Sequence, residues 1–135
     1  MLLQGAALSA VAAVGVWTTI HFEIDWRPAP EFRTVTAQNI RQHREGFFLV
    51  DVRNPERFAH QHAPDSILFT DATYGQDLET LRARLRPGQQ IVVFGEGVGS
   101  DRATRIARQL RKDLAPAAVT LLEGGWASWP REGSP

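Results

Sequence analysis

The 135-residue sequence contains no cysteine, which excludes disulfides, thiolate metal sites and any chemistry that needs a thiol nucleophile. Its charge has no excess of either sign, with fifteen basic residues against fifteen acidic ones. A balanced chain of this kind offers no electrostatic footprint for nucleic acid, and no basic segment stands apart from an acidic one. There is no internal repeat and no low-complexity tract. The length suits one domain of ordinary size with a real core.

What is present begins with residues 2–22, which contain no Asp, Glu, Lys or Arg. As a helix rising about 1.5 Å per residue, this run reaches roughly 30 Å, the thickness of a bilayer core. It reads as an uncleaved single-pass anchor over residues 1–22. A cleaved signal needs a basic start and a small-x-small site, whereas this run closes Val16-Trp17-Thr18-Thr19-Ile20. Gly5, Ser9 and Ala13 recur every four residues and form a strip of small side chains, the kind of face that lets another transmembrane helix approach closely. Arg27, Arg33, Arg41 and Arg44 come after the run and no Lys or Arg precedes it, so the positive-inside rule places the remainder of the chain on the cytoplasmic side. Residues 23–33 read as a short linker kept extended by Pro28 and Pro30, holding the domain near the bilayer surface.

From Thr34 the pattern is that of an α/β domain. Phe47 to Val52, Ile67 to Phe69, Ile91 to Phe94 and Val119 to Leu122 read as strands buried on both faces. Helices are expected from Ala37 to about Arg44, from Asp77 to Leu85 and from Ser100–Asp101 to Leu114, with one helical turn at Pro55. Strands alternating with helices predict a parallel sheet covered on both faces.

The stretch with the most chemical content is Gly95-Glu96-Gly97-Val98-Gly99-Ser100-Asp101. It joins a buried strand to a helix N-terminus, where free amides and the helix dipole suit an anion. It carries no nucleophile of its own. Ser100 and Asp101 read as caps, since no paired base accompanies them, and Glu96 opposes an anionic substrate. Asp51 and Arg53 read as a charged pair that supports the strand end and the loop. His60 and His62 form an H-x-H without a third ligand, so no metal is expected. Arg102, Arg105, Arg108 and Lys112 lie along one side of the last helix and read as a solvated face.

Three motifs then fall in one order. Asp51-Val52-Arg53-Asn54-Pro55-Glu56-Arg57-Phe58, His62-Ala63-Pro64-Asp65-Ser66-Ile67 and Leu122-Glu123-Gly124-Gly125-Trp126-Ala127-Ser128-Trp129 resemble the signatures of the rhodanese-like, or sulfurtransferase-fold, family. The resemblance covers residues 34–129 and leaves 130–135 as a tail. It implies an open parallel sheet of about five strands. It also implies a persulfide-bearing cysteine directly after the central strand, and that position here is Gly95. The resulting expectation is a catalytically inactive, membrane-anchored accessory subunit without cofactor. Its partners are then the lipid bilayer and the transmembrane helices of a larger complex, photosynthetic or respiratory by analogy. The alternative is a domain that binds a small anion or sulfur species without covalent chemistry.

Overall fold

The computed structural model describes residues 29–131. The expected anchor at residues 1–22, with its Gly5, Ser9 and Ala13 face, lies outside the described residues. Among the described residues no helix is long and apolar enough to cross a membrane.

Five strands form one parallel sheet: β1 (Thr34–Val35), β2 (Phe47–Asp51), β3 (Ile67–Leu68), β4 (Gln90–Phe94) and β5 (Val119–Leu122). Their spatial order is β1-β5-β4-β2-β3. β2 and β4 lie side by side in the middle, with Leu49 opposite Val92 and Asp51 opposite Phe94. From β2 the chain moves outward to β3, then crosses back to β4 on the other side. The direction of winding therefore reverses between β2 and β4, and in open α/β sheets the crevice beyond the carboxyl ends of such a pair is where ligands bind.

The alternation of side chains along the strands divides the core in two. Phe48, Val50, Ile91 and Val93 point to one face, where α3 (Tyr74–Arg84) and α4 (Asp101–Asp113) cover them with Leu81, Ala103, Ile106, Ala107 and Leu110. Phe47, Leu49, Val92 and Phe94 point to the other, under α1 (Ala37–Gln42) and the C-terminal turn Gly125–Ser128. All of these strand side chains are at most 8% exposed. Each large one contributes about 1.5–3 kcal/mol relative to leaving it in water, which is why the apolar runs become strands at all. α2 (Pro55–His60) is short and buries no residue.

Several elements differ in extent from the sequence reading. β1 has only two residues, too few for a periodic signal, and it exists because Thr34 and Val35 pair with Leu121 and Leu122. α3 begins at Tyr74, three residues before Asp77, and that carboxylate turns back to accept from the Thr70 amide and the Thr73 hydroxyl. The Pro55 turn extends to six residues behind its Asn54 cap. α1 stops at Gln42, and a 3₁₀ turn over Arg44–Gly46 leads into β2. The linker reading also stops short, because Phe32 is 5% exposed and belongs to the α3/α4 core. Glu31 accepts from Arg108 at 2.7 Å and from Arg111 at 3.2 Å, and the Arg111 guanidinium lies 4.4 Å from the centre of the Phe32 ring. Two residues of the expected linker are thus fastened to α4.

Candidate functional site at the glycine-rich loop

The loop between β4 and α4 stands at the β2/β4 reversal. Ser100 caps α4, its hydroxyl oxygen accepting from the Ala103 amide at 3.2 Å, and Asp101 is the first helical residue. A side-chain oxygen at that position satisfies an amide that the first helical turn leaves without a partner.

Gly95 is buried, and its environment decides what this loop can hold. A Cβ built there would stand 2.4 Å from the Ser100 Oγ and 2.8 Å from its Cβ. The space beside residue 95 is therefore already taken by the capping serine. The other side of the loop is closed by the C-terminal turn. The Gly95 carbonyl accepts from the Trp126 amide at 2.8 Å and the Glu96 carbonyl from the Ala127 amide at 2.9 Å. Gly125 makes this possible: its φ is +61°, and a Cβ on it would meet Gly95 and Gly97 backbone atoms at 2.9 Å. Only glycine tolerates both that conformation and that approach.

Beneath the loop lies a network that begins at Asp51, the last residue of β2. Its carboxylate is fully enclosed and accepts from the Arg53 amide at 2.9 Å, from Arg53 Nε at 3.0 and 3.1 Å and from Arg53 Nη2 at 2.8 Å. The same Nη2 also donates to the Gln61 carbonyl at 2.7 Å. The guanidinium sits 3.9 Å from the centre of the Trp126 ring, and that ring stacks at 6.3 Å on Phe94. Buried charges are retained only when paired and hydrogen-bonded. Here the pairing links the end of β2, the α2–β3 loop and the turn that bonds Gly95.

The mouth of the loop is a shallow cavity of about 540 Å³ lined by Val52, Arg57, Glu96, Gly97, Val98 and Arg102 among others. Glu96 pairs with Arg57 at 3.3 Å, both side chains well exposed. Arg102 lies over the Val52 carbonyl at 3.4 Å. Val98 stands out at 91% exposure. The amides of Gly97, Val98 and Gly99 donate to no other described backbone group. No carboxylate or imidazole among the described residues bonds the Ser100 hydroxyl, so the serine has a capping geometry and no base.

The structure brings Asp51, Arg53 and the whole Gly95–Asp101 stretch into one region. It leaves the H-x-H apart: His62 donates its Nδ1 proton to the Phe58 carbonyl and stacks on the Phe58 ring at 4.2 Å. No group of three potential metal ligands occurs among the described residues. Arg57, Arg102, Gly125 and Trp126 are members of the region that the sequence did not assign to it. Their contacts span 28 to 73 positions and have no local signal.

These features coincide with a match to known proteins. Residues 34–132 match the family model of the rhodanese-like domain. The chain belongs to the rhodanese-like domain family. Its fold resembles that of the rhodanese-related protein of Thermoplasma volcanium, 19% identical over 77% of this chain and 96% of that chain, with a TM-score of 0.58. The Staphylococcus aureus rhodanese-like domain protein is 19% identical over 75% of this chain and 94% of that one, also at 0.58. Thiosulfate sulfurtransferase of Pseudomonas aeruginosa aligns with 80% of this chain, but over only 20% of its own length, at 23% identity and 0.59. At such identities the likeness is one of fold. No curated protein matches the sequence. This rhodanese-like domain thus has its family's parallel sheet and a loop at the expected reversal point, in a chain without a cysteine.

Proposed function

We propose that this protein is a non-catalytic rhodanese-like domain, anchored to a membrane by residues 1–22, that serves as an accessory subunit of a larger membrane complex. One observation carries the reading: the space beside Gly95, which by resemblance corresponds to the persulfide-bearing cysteine of active family members, is filled by the Ser100 side chain. Persulfide chemistry needs a sulfur atom and room around it for the loop amides to converge. This loop supplies neither, and its Gly95 and Glu96 carbonyls are held by the C-terminal turn. Asp51 and Arg53 act in support of that closed loop. The apolar anchor, with its Gly5, Ser9 and Ala13 face, supplies contact to a partner helix in the bilayer. Glu31 and Phe32, held on α4, bind the chain that leaves the anchor to the domain.

The test is purification of a tagged full-length chain from its native membranes in mild detergent, with mass spectrometry of whatever elutes at fixed stoichiometry. A constant set of membrane proteins is the expected result. Elution of the chain alone, or thiosulfate-to-cyanide sulfur transfer above the uncatalysed rate, would defeat the proposal.

A second reading has one observation in its favour, the uncommitted amides of Gly97, Val98 and Gly99 beside Arg102. With Glu96 drawn to Arg57, that mouth suits non-covalent binding of a small anion or sulfur species. Titration of the chain with thiosulfate and with phosphate distinguishes it, since the accessory reading expects no saturable binding of either.

A further inference from the structure

A second concave feature lies away from the glycine loop, between α1, the α2–β3 connection and the C-terminal turn. It is an open groove of about 510 Å³. Half-buried Trp126 and Trp129 contribute aromatic surface, and exposed Arg41, His60 and Arg131 contribute positive or protonatable groups. Asp65 is the one carboxylate that lines it. The chemistry of the lining is lopsided. Two of its carbonyls are already engaged, Pro64 accepting from Arg44 at 2.5 Å and Gln61 from Arg53 at 2.7 Å. Arg41, His60 and Arg131 form no side-chain hydrogen bond or ion pair with another described residue, and neither indole N–H donates to one. What remains available is a set of donors, the Trp129 ring and the free edge of Trp126, with few acceptors.

We propose that this groove is the protein-docking surface of the domain, and that it takes an acidic peptide segment carrying apolar side chains. Carboxylates of the partner pair with Arg41, Arg131 and His60, while an adjacent apolar side chain lies against Trp129 and the free edge of Trp126. The argument is charge complementarity: guanidinium groups grip carboxylates with paired donors, and aromatic anchors among charged groups are where interface energy concentrates. A groove this size accommodates a few side chains and not a globular surface. The proposal rests on the accessory-subunit reading and names the face through which the soluble domain contributes to it.

The experiment is calorimetric titration of the full-length chain in mild detergent with the unlabelled peptide acetyl-Asp-Phe-Glu-Phe-Asp-Leu-amide. Two control peptides replace either the three acids by Lys or the two Phe by Ser. Saturable binding by the first peptide alone, about tenfold weaker or more with Arg41→Glu plus Arg131→Glu, is the expected result. His60→Glu, on a different segment, weakens it independently, and Glu96→Gln in the glycine loop leaves it unchanged. Equal binding of the Lys control, or indifference to the charge reversals, overturns the proposal. So does tighter binding with Glu96→Gln, which moves the peptide to the loop, and so does phenylacetate matching the affinity of the peptide, which makes the groove a small-acid site. Recovery of membrane partners separates this proposal from the one beneath it. If partners co-purify in full with the charge-reversed variant, the groove is not the dock and the accessory reading stands. If the peptide binds as expected and no partner co-purifies from membranes, the accessory reading fails and the groove remains.

Discussion

Asp51–Arg53 and Glu31–Arg108 join the same two chemical groups at almost the same distance, 2.8 and 2.7 Å. The first pair is at most 2% exposed, while the second is 38–48% exposed. Their geometries are alike and their duties differ. In the interior, two charges have lost their water, so every lone pair and proton must be answered by the protein. Asp51 and Arg53 answer each other, and the second Nη2 proton goes to the Gln61 carbonyl, which connects three segments around the loop. At the surface, water competes for both partners and the pair contributes little energy. What Glu31 gains from Arg108 and Arg111 is a position: it brings Phe32 against α4. One ion pair specifies the interior of the site and the other specifies how the chain enters the domain.

The comparison is broken most severely by removing one partner of the buried pair. Arg53→Ala strands a carboxylate in the core and is expected to cost about 3–5 kcal/mol in thermal or urea unfolding. Replacing both, as Asp51→Leu with Arg53→Met, is expected to recover at least half of that, because no uncompensated charge remains. If the double variant is as unstable as the single one, the network does more than neutralise itself. Next in size is Gly95→Ala, which forces its methyl into Ser100 and is expected to cost about 1–3 kcal/mol, the range for overpacking. Adding Ser100→Gly relieves the clash, so a double-mutant cycle on the two positions yields a favourable coupling; additivity would contradict the filled space beside Gly95.

Ser100→Ala alone removes only the cap and is expected to cost about 1 kcal/mol, read from the same unfolding curves. The smallest effect belongs to the surface pair. The Arg108 hydrogen bond holds Glu31 below the usual carboxylate range against an opposing effect of desolvation, and the Arg108 and Arg111 charges add to it. A carboxylate whose pKa is lower folded than unfolded stabilises the fold above the ordinary glutamate range, and that contribution fades as pH falls through the lowered value. Glu31→Gln is therefore expected to flatten the acid limb of a stability-versus-pH curve while changing little at neutral pH. An unchanged acid limb would show that the pair does not persist in solution.

Much of the fold was legible because the signals are local. Phe47-Phe48-Leu49-Val50 and Ile91-Val92-Val93-Phe94 are runs without a polar break, and such runs survive only when both faces are covered. Ala103, Ile106, Ala107 and Leu110 repeat at helical spacing, and all four are buried where the spacing places them. The two-residue β1 and the start of α3 at Tyr74 were not legible, since each depends on a partner far along the chain or on a side chain turning back. Part of the site was equally visible: the glycine loop and its cap come from a strand, three glycines and a serine. The closure of that loop was not. Gly125 lies 30 residues beyond Gly95, and nothing near either one states that their backbones touch. The solvated-face reading of α4 needed the same kind of amendment, because Arg105 and Arg108 hold Asp71 and Glu31 from 34 and 77 positions away.

By itself, then, the sequence determined the class of the fold, the strand-loop-helix junction and the absence of thiol chemistry. Each is a property of short windows or of composition, where hydrophobic period, capping chemistry and residue identity suffice. The tertiary structure alone decided that Ser100 fills the space beside Gly95, that Arg53 ties Asp51 to the turn at Trp126, and that two tryptophans meet Arg41, His60 and Arg131 in one groove. Those facts depend on which distant segments the sheet brings within a few ångströms. Close packing sets that outcome for the whole core at once, since a side chain occupies only the space its neighbours leave.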